Sequence, residues 1–190
     1  MTTRRSDSQW LNDLGEIDAD LAAETLLLGL TGIAPSEGAR NRLLAATGAG
    51  RLHRFAQALA TLLDVTLDKA RALLDRAMEP AGWESGVLPG LSTLWVEGGA
   101  TVAGCIRGFI RLEAGQTFPV HHHLGDEQVL VLEGVMVDSD GTAYHPGEYL
   151  PKTTGSEHGY HAQDGGPDLL TFAVVREGIT IGEMVVRHPD

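Results

Sequence analysis

Cysteine is almost missing from this chain. Cys105 stands alone, so no intrachain disulfide can form. Basic residues are scarce as well: 14 Lys and Arg face 26 Asp and Glu, for a net charge of −12. Such a surface excludes nucleic acid and anionic membrane as expected direct partners. No apolar run approaches the roughly 20 residues that a membrane-spanning helix needs. Arg4-Arg5 is followed by polar residues instead of an apolar core. Neither a signal peptide nor a twin-arginine leader is read there, and a cytoplasmic protein is expected.

What is present divides the chain unevenly. Residues 1–80 carry 9 basic and 11 acidic side chains; residues 81–190 carry 5 and 15, so most of the negative charge lies in the second part. With 43% hydrophobic residues there is enough apolar material for a folded core. Residues 1–17 are polar and read as a frayed terminus. Residues 18–80 show helical periodicity. A first helix carries Leu21, Leu27 and Leu28. A second starts at the cap Ser36 and stops at Gly48-Ala49-Gly50. A third, about Arg51 to Leu63, gathers Leu52, Phe55, Ala56, Leu59, Leu62 and Leu63 on one side. Thr66 caps a fourth that carries Ala70, Leu73, Leu74 and Ala77, ended by Pro80 and Gly82. His53, among these helices, is read as a packing or surface residue.

Residues 81–90 read as a linker, and residues 91–190 change to strand patterns. In Thr101–Glu113, Ile106, Ile110 and Leu112 alternate with Arg107, Arg111 and Glu113, which predicts a half-exposed strand with Cys105 as a packing thiol. Val129-Leu130-Val131-Leu132 is a continuous apolar run, the mark of a strand covered on both faces. Asp138-Ser139-Asp140-Gly141 reads as a hairpin turn, and 169–175 and 179–186 supply the last strands. Short strands between glycine-rich turns fit an antiparallel barrel or jelly roll.

The chemistry concentrates in Gly115–Gly134. His121 and His123 are two apart, so on a strand they share a face while His122 points away. Two imidazoles on one face can share a metal ion, and Glu127, just beyond the loop Leu124-Gly125-Asp126, can reach the same ion. The competing reading is a solvated histidine tract with incidental metal affinity.

Gly115, His121-x-His123, Glu127 and Gly134 stand at the spacing of the first motif of the cupin family, and the chain resembles that family closely here. Gly147 and Thr153-x-Gly155-x-x-His158 resemble the second motif, with Thr153 in place of the usual proline and Ala162 in place of the usual asparagine. The resemblance implies an all-β cupin barrel preceded by a small α-helical domain. It also implies one divalent metal ion on His121, His123, Glu127 and His158, with His161 as an alternative to His158. Zinc is the first expectation; iron, manganese, nickel and copper suit the same ligands.

Trp83, Leu88-Pro89-Gly90, the metal motifs and the run ending in Glu133-Gly134 and then Asp138 further resemble the ChrR-like anti-sigma factors. That likeness implies an extracytoplasmic-function sigma factor held by residues 18–80, and a cupin that senses a signal, with a small-molecule ligand in the barrel and a homodimer as further expectations. The zinc motif His-x3-Cys-x2-Cys usual in such helical domains is missing. The alternative is a metal-dependent enzyme, a dioxygenase or isomerase, with Tyr160, His161 and His145 as pocket groups. A storage or purely structural barrel is the third reading.

Overall fold

The structure, a computed structural model, describes residues 50–188. The two helices expected before Gly48 lie outside the described residues. A 3-10 turn, Arg51–Phe55, leads into α1 (Ala56–Leu63), and α2 (Leu67–Met78) follows. The sequence pattern anticipates both helices, and the first turn differs from expectation in being 3-10. Thr66 accepts a hydrogen bond from the Lys69 N–H at 3.3 Å, which caps α2, and Asp68 sits in its first turn, where a negative charge is favoured. Asp64 closes α1 in the left-handed region at φ 56.

Twelve strands follow: β1 (Glu84–Ser85), β2 (Leu91–Trp95), β3 (Ile106–Leu112), β4 (Thr117–His123), β5 (Glu127–Glu133), β6 (Met136–Asp138), β7 (Ala143–Tyr144), β8 (Tyr149–Lys152), β9 (Glu157–Ala162), β10 (Leu169–Val175), β11 (Ile179–Ile181) and β12 (Met184–Val186). They form two six-stranded sheets, ordered β1-β2-β3-β10-β5-β8 and β12-β11-β4-β9-β6-β7. All pairings are antiparallel. This is the expected jelly roll preceded by a small helical part. The stretch 81–90 contains β1, which pairs with β2 through Glu84↔Thr93 and Ser85↔Ser92.

β10, inside the first sheet, is buried along its whole length, and the strand period of two sorts the side chains of β10 and β5. Val129 and Val131 of β5, with Ala173 and Val175 of β10, face the barrel interior beside Leu112, Met136, Leu150 and Tyr160. Their neighbours Leu130, Leu132, Phe172 and Val174 face outward and join Leu59, Leu63 and Leu74 of the two helices in a second cluster. Each such fully buried leucine or phenylalanine contributes about 1.5–3 kcal/mol relative to exposure.

This helical cover corrects one expectation. The outward face of β3 is not solvated. Arg107 is only 6% exposed. Its guanidinium donates to the carbonyls of Val102 (3.1 Å) and Cys105 (2.8 Å) and to Glu97 Oε2 (2.7 Å). Cys105 packs in the helix-facing cluster. The hairpin expected at Asp138–Gly141 does join β6 to β7: Gly141 takes φ 86, and its N–H donates to the Asp138 carbonyl at 2.9 Å.

Candidate metal centre

On β4, His121 and His123 are buried and His122 is exposed, as the strand alternation requires. His158 on β9 is the register partner of His121. Glu127 opens β5 in the opposite sheet and projects inward in phase with Val129 and Val131. The four side chains thus meet between the two sheets. Each offers one ligand atom, and those atoms all lie within 4.8 Å of one another. His161 is exposed and outside this group.

The turn between β4 and β5 has little freedom. A Cβ added to Gly125 would stand 2.4 Å from the Arg176 carbonyl oxygen, so only glycine lets the chain pass. Asp126 Oδ1 accepts from the N–H and the hydroxyl of Thr154, both at 2.9 Å. This holds Glu127 at the start of its strand.

The imidazoles are oriented by their Nδ1 atoms. The Nδ1 of His121 lies 3.1 Å from the Pro119 carbonyl oxygen, and that of His123 lies 3.2 Å from the Ser156 carbonyl oxygen and 3.1 Å from its Oγ. The Nδ1 of His158 lies 3.0 Å from Asp138 Oδ1. With Nδ1–H donating outward, each Nε2 lone pair is left for the centre. There His123 Nε2 and His158 Nε2 lie 2.9 and 3.4 Å from Glu127 Oε2. His158 Nε2 is buried and has no hydrogen-bond partner among the described residues. A buried orphan nitrogen, two further imidazoles and one carboxylate aimed at one point fit a divalent cation.

The electrostatics agree. Burial pushes the Glu127 carboxyl up, but the imidazoles of His121, His123 and His158 gathered around it outweigh that effect and hold the group well below the usual carboxylate range. Burial, and then the charge of Glu127, pushes the Tyr160 phenol far up, so this residue stays neutral.

Asp138 is the residue that the sequence pattern missed in this role. It reads as part of a turn, yet it is buried, holds His158 and pairs with Lys152. A carboxylate behind a metal-binding imidazole fixes its tautomer and raises its basicity.

Beside the centre, between the two sheets, lies a partly open apolar cavity of about 300 Å³. His121, Glu127 and Tyr160 form part of its wall, and the rest is mostly aliphatic and aromatic. Tyr160 stacks on Phe118 with ring centroids 5.1 Å apart. His145 and His161, the other pocket candidates, are exposed and do not line it.

Comparison with known families matches residues 83–173 to the ChrR cupin-like domain. That segment resembles the ChrR cupin-like domain across almost the whole described β-structure. The match covers the four converging side chains and Asp138. Solved structures share the fold. A chain of the crystal structure of Rhodobacter sphaeroides SigE in complex with the anti-sigma ChrR is 22% identical, with a TM-score of 0.50 over 82% of this chain and 75% of that one. The acetylacetone dioxygenase of Acinetobacter johnsonii is 11% identical, with a TM-score of 0.50 over 58% of this chain and 82% of that one. No curated protein matches the chain. Among the described residues, no helix is long and apolar enough to cross a membrane.

Proposed function

We propose that this chain is a metal-binding regulator of the ChrR type. Its cupin holds one ion, zinc first, on His121, His123, Glu127 and His158, and residues 18–80 hold an extracytoplasmic-function sigma factor. The observation that carries this reading is the reach of the structural likeness. The chain from the SigE–ChrR complex resembles 82% of the sequence, well beyond the cupin segment 83–173. A closed set of three imidazoles and one carboxylate suits four-coordinate zinc, which binds without redox change.

The fold supplies a physical route between the two parts. Glu127 and the helix-facing leucines Leu130 and Leu132 lie on the same strand, β5. A ligand bound or lost at Glu127 changes the stability of that strand, and α1 and α2 pack on its other face. The residues of this chain do the positioning: Asp138 and Ser156 hold two imidazoles, and Asp126 holds the loop before Glu127.

The test is binding of the full chain to each extracytoplasmic-function sigma factor of its host, with the zinc-loaded protein and with His123→Ala. Tight binding of one sigma factor, altered when the metal is lost, is expected. Binding to none of them would sink the regulatory half of the proposal while leaving the metal site standing.

A second reading is favoured by one feature, the apolar cavity against His121 and Glu127. It is a metal-dependent dioxygenase or isomerase acting on a small molecule. The bound ion would polarise a substrate oxygen or activate dioxygen; Tyr160 and Phe118 would orient the apolar body. Turnover of a substrate that survives Glu127→Ala unchanged would exclude it.

A further inference from the structure

We infer that a second site, away from the four converging side chains, binds a small organic anion: a carboxylate or phosphate group joined to a flat apolar body. It is a groove of about 540 Å³ at one end of the first sheet, in the size range of small-molecule sites. Arg76 of α2, Arg107 of β3 and Arg187 after β12 all line it. Glu97 is the carboxylate on its wall, and Trp95 and Val186 contribute apolar surface.

Three observations point to an anion. The first is charge. Residues 81–190 contain only five basic side chains, and two of them, Arg107 and Arg187, line this one groove together with Arg76. Three guanidiniums on one groove make a local positive patch in an otherwise acidic chain. Glu97 offsets one, and its side chain is 83% exposed.

The second is an unpaired donor. Arg107 is 6% exposed, and its terminal nitrogens are engaged by Val102, Cys105 and Glu97. Its Nε is fully enclosed and has no acceptor among the described residues. Buried N–H groups are nearly always paired, so the arginine cluster is short of an acceptor at this point. Arg76 and Arg187 make no ion pair among the described residues, and their planar forks suit carboxylate or phosphate oxygens.

The third is Trp95. It is 45% exposed despite its size, and it borders both this groove and the apolar cavity. A large half-open indole next to guanidinium groups accepts a flat ring by stacking while the anionic group meets the arginines.

The experiment is calorimetric titration of the full chain with benzoate, phenyl phosphate and inorganic phosphate, with metal content measured alongside. Arg107 is part of the packing, so the variants are the exposed Arg76→Ala and Arg187→Ala, with Arg187→Lys as the conservative control. Saturable binding of benzoate or phenyl phosphate is expected, weakened at least about tenfold in each alanine variant and partly restored by lysine. Metal content should stay at the wild-type level. The preferred aromatic anion then names the head group. Inorganic phosphate bound as tightly as phenyl phosphate would overturn the apolar part of the assignment. Binding unchanged in both alanine variants, or abolished by His123→Ala instead, would place the anion at the metal and overturn the site. No binding by any probe, with Arg76→Ala and Arg187→Ala lowering the melting temperature, would assign the arginines to an acidic segment of protein and also overturn it.

Discussion

Asp138 Oδ1 lies 3.0 Å from Nδ1 of His158, and both residues are buried. Asp138 comes from β6 and His158 from β9, twenty residues apart, and the pairing of these strands places Asp138 beside Tyr160 in register. The carboxylate therefore sets which nitrogen of His158 faces the centre. Asp138→Asn should leave the fold intact and weaken zinc binding by roughly 10- to 100-fold. Competition against a chromophoric chelator measures this. An unchanged affinity would show that the Asp138 contact does not tune the imidazole.

His123→Ala and Glu127→Gln each remove one member of the converging group. Metal content after purification, read by plasma mass spectrometry, should fall from near one ion per chain to a small fraction of that in both variants. A metal site is part of the folding free energy, so the melting temperature should fall with it. His161→Ala, whose side chain is exposed and outside the group, should keep its metal.

The metal-free protein should show a defined acid dependence through Asp138. Burial pushes this carboxyl up, but Lys152, His158 and the Ser139 N–H together hold it below its usual 3.8. A folded-state value below the unfolded one means that the ionised group stabilises the fold. That contribution is complete above the unfolded value and disappears as pH falls through the folded one. The gap in urea midpoint between wild type and Asp138→Asn, measured in chelator, should be constant from pH 7 to pH 5 and close below about pH 3.8. A gap that widens on acidification would contradict the sign.

Gly125→Ala places a Cβ 2.4 Å from the Arg176 carbonyl oxygen. Neither partner is a flexible side-chain end, so the β4–β5 turn must shift. A loss of about 1–3 kcal/mol is expected from overpacking of this kind. Because the same turn carries Glu127, zinc affinity should drop in the same variant. Chemical denaturation and chelator competition read the two effects separately.

Leu74→Ala tests whether the helices and the sheet are one cooperative unit. Leu74 is fully buried in the cluster that holds Leu130, Leu132 and Phe172. A cost of about 2–5 kcal/mol is expected, with far-ultraviolet and tryptophan signals shifting together. Two separated transitions would show that α1 and α2 unfold on their own.

The legible parts of this chain were local. His121 and His123 share a face because alternation on a strand is a property of neighbouring residues, and Thr66 caps α2 because a hydroxyl reaches an N–H three residues on. Val129–Leu132 could be read as doubly covered from its unbroken apolar run. The choice of His158 over His161 came from motif spacing, not from periodicity.

The tertiary structure decided what depends on residues far apart in sequence. Arg107 looked solvent-facing because alternation tells two faces apart without saying what covers either; the Val102 and Cys105 carbonyls and Glu97 take up its guanidinium, and it is buried. Asp138 looked like turn chemistry because its partner lies on another strand, and only the β6–β9 pairing brings His158 to it. The convergence of Arg76, Arg107 and Arg187 likewise has no trace in local pattern. Spacing along a strand or helix is set by backbone geometry, which each short stretch carries in itself. Contacts between distant elements are set by which faces the whole chain can bury together, and they exist only once it has folded.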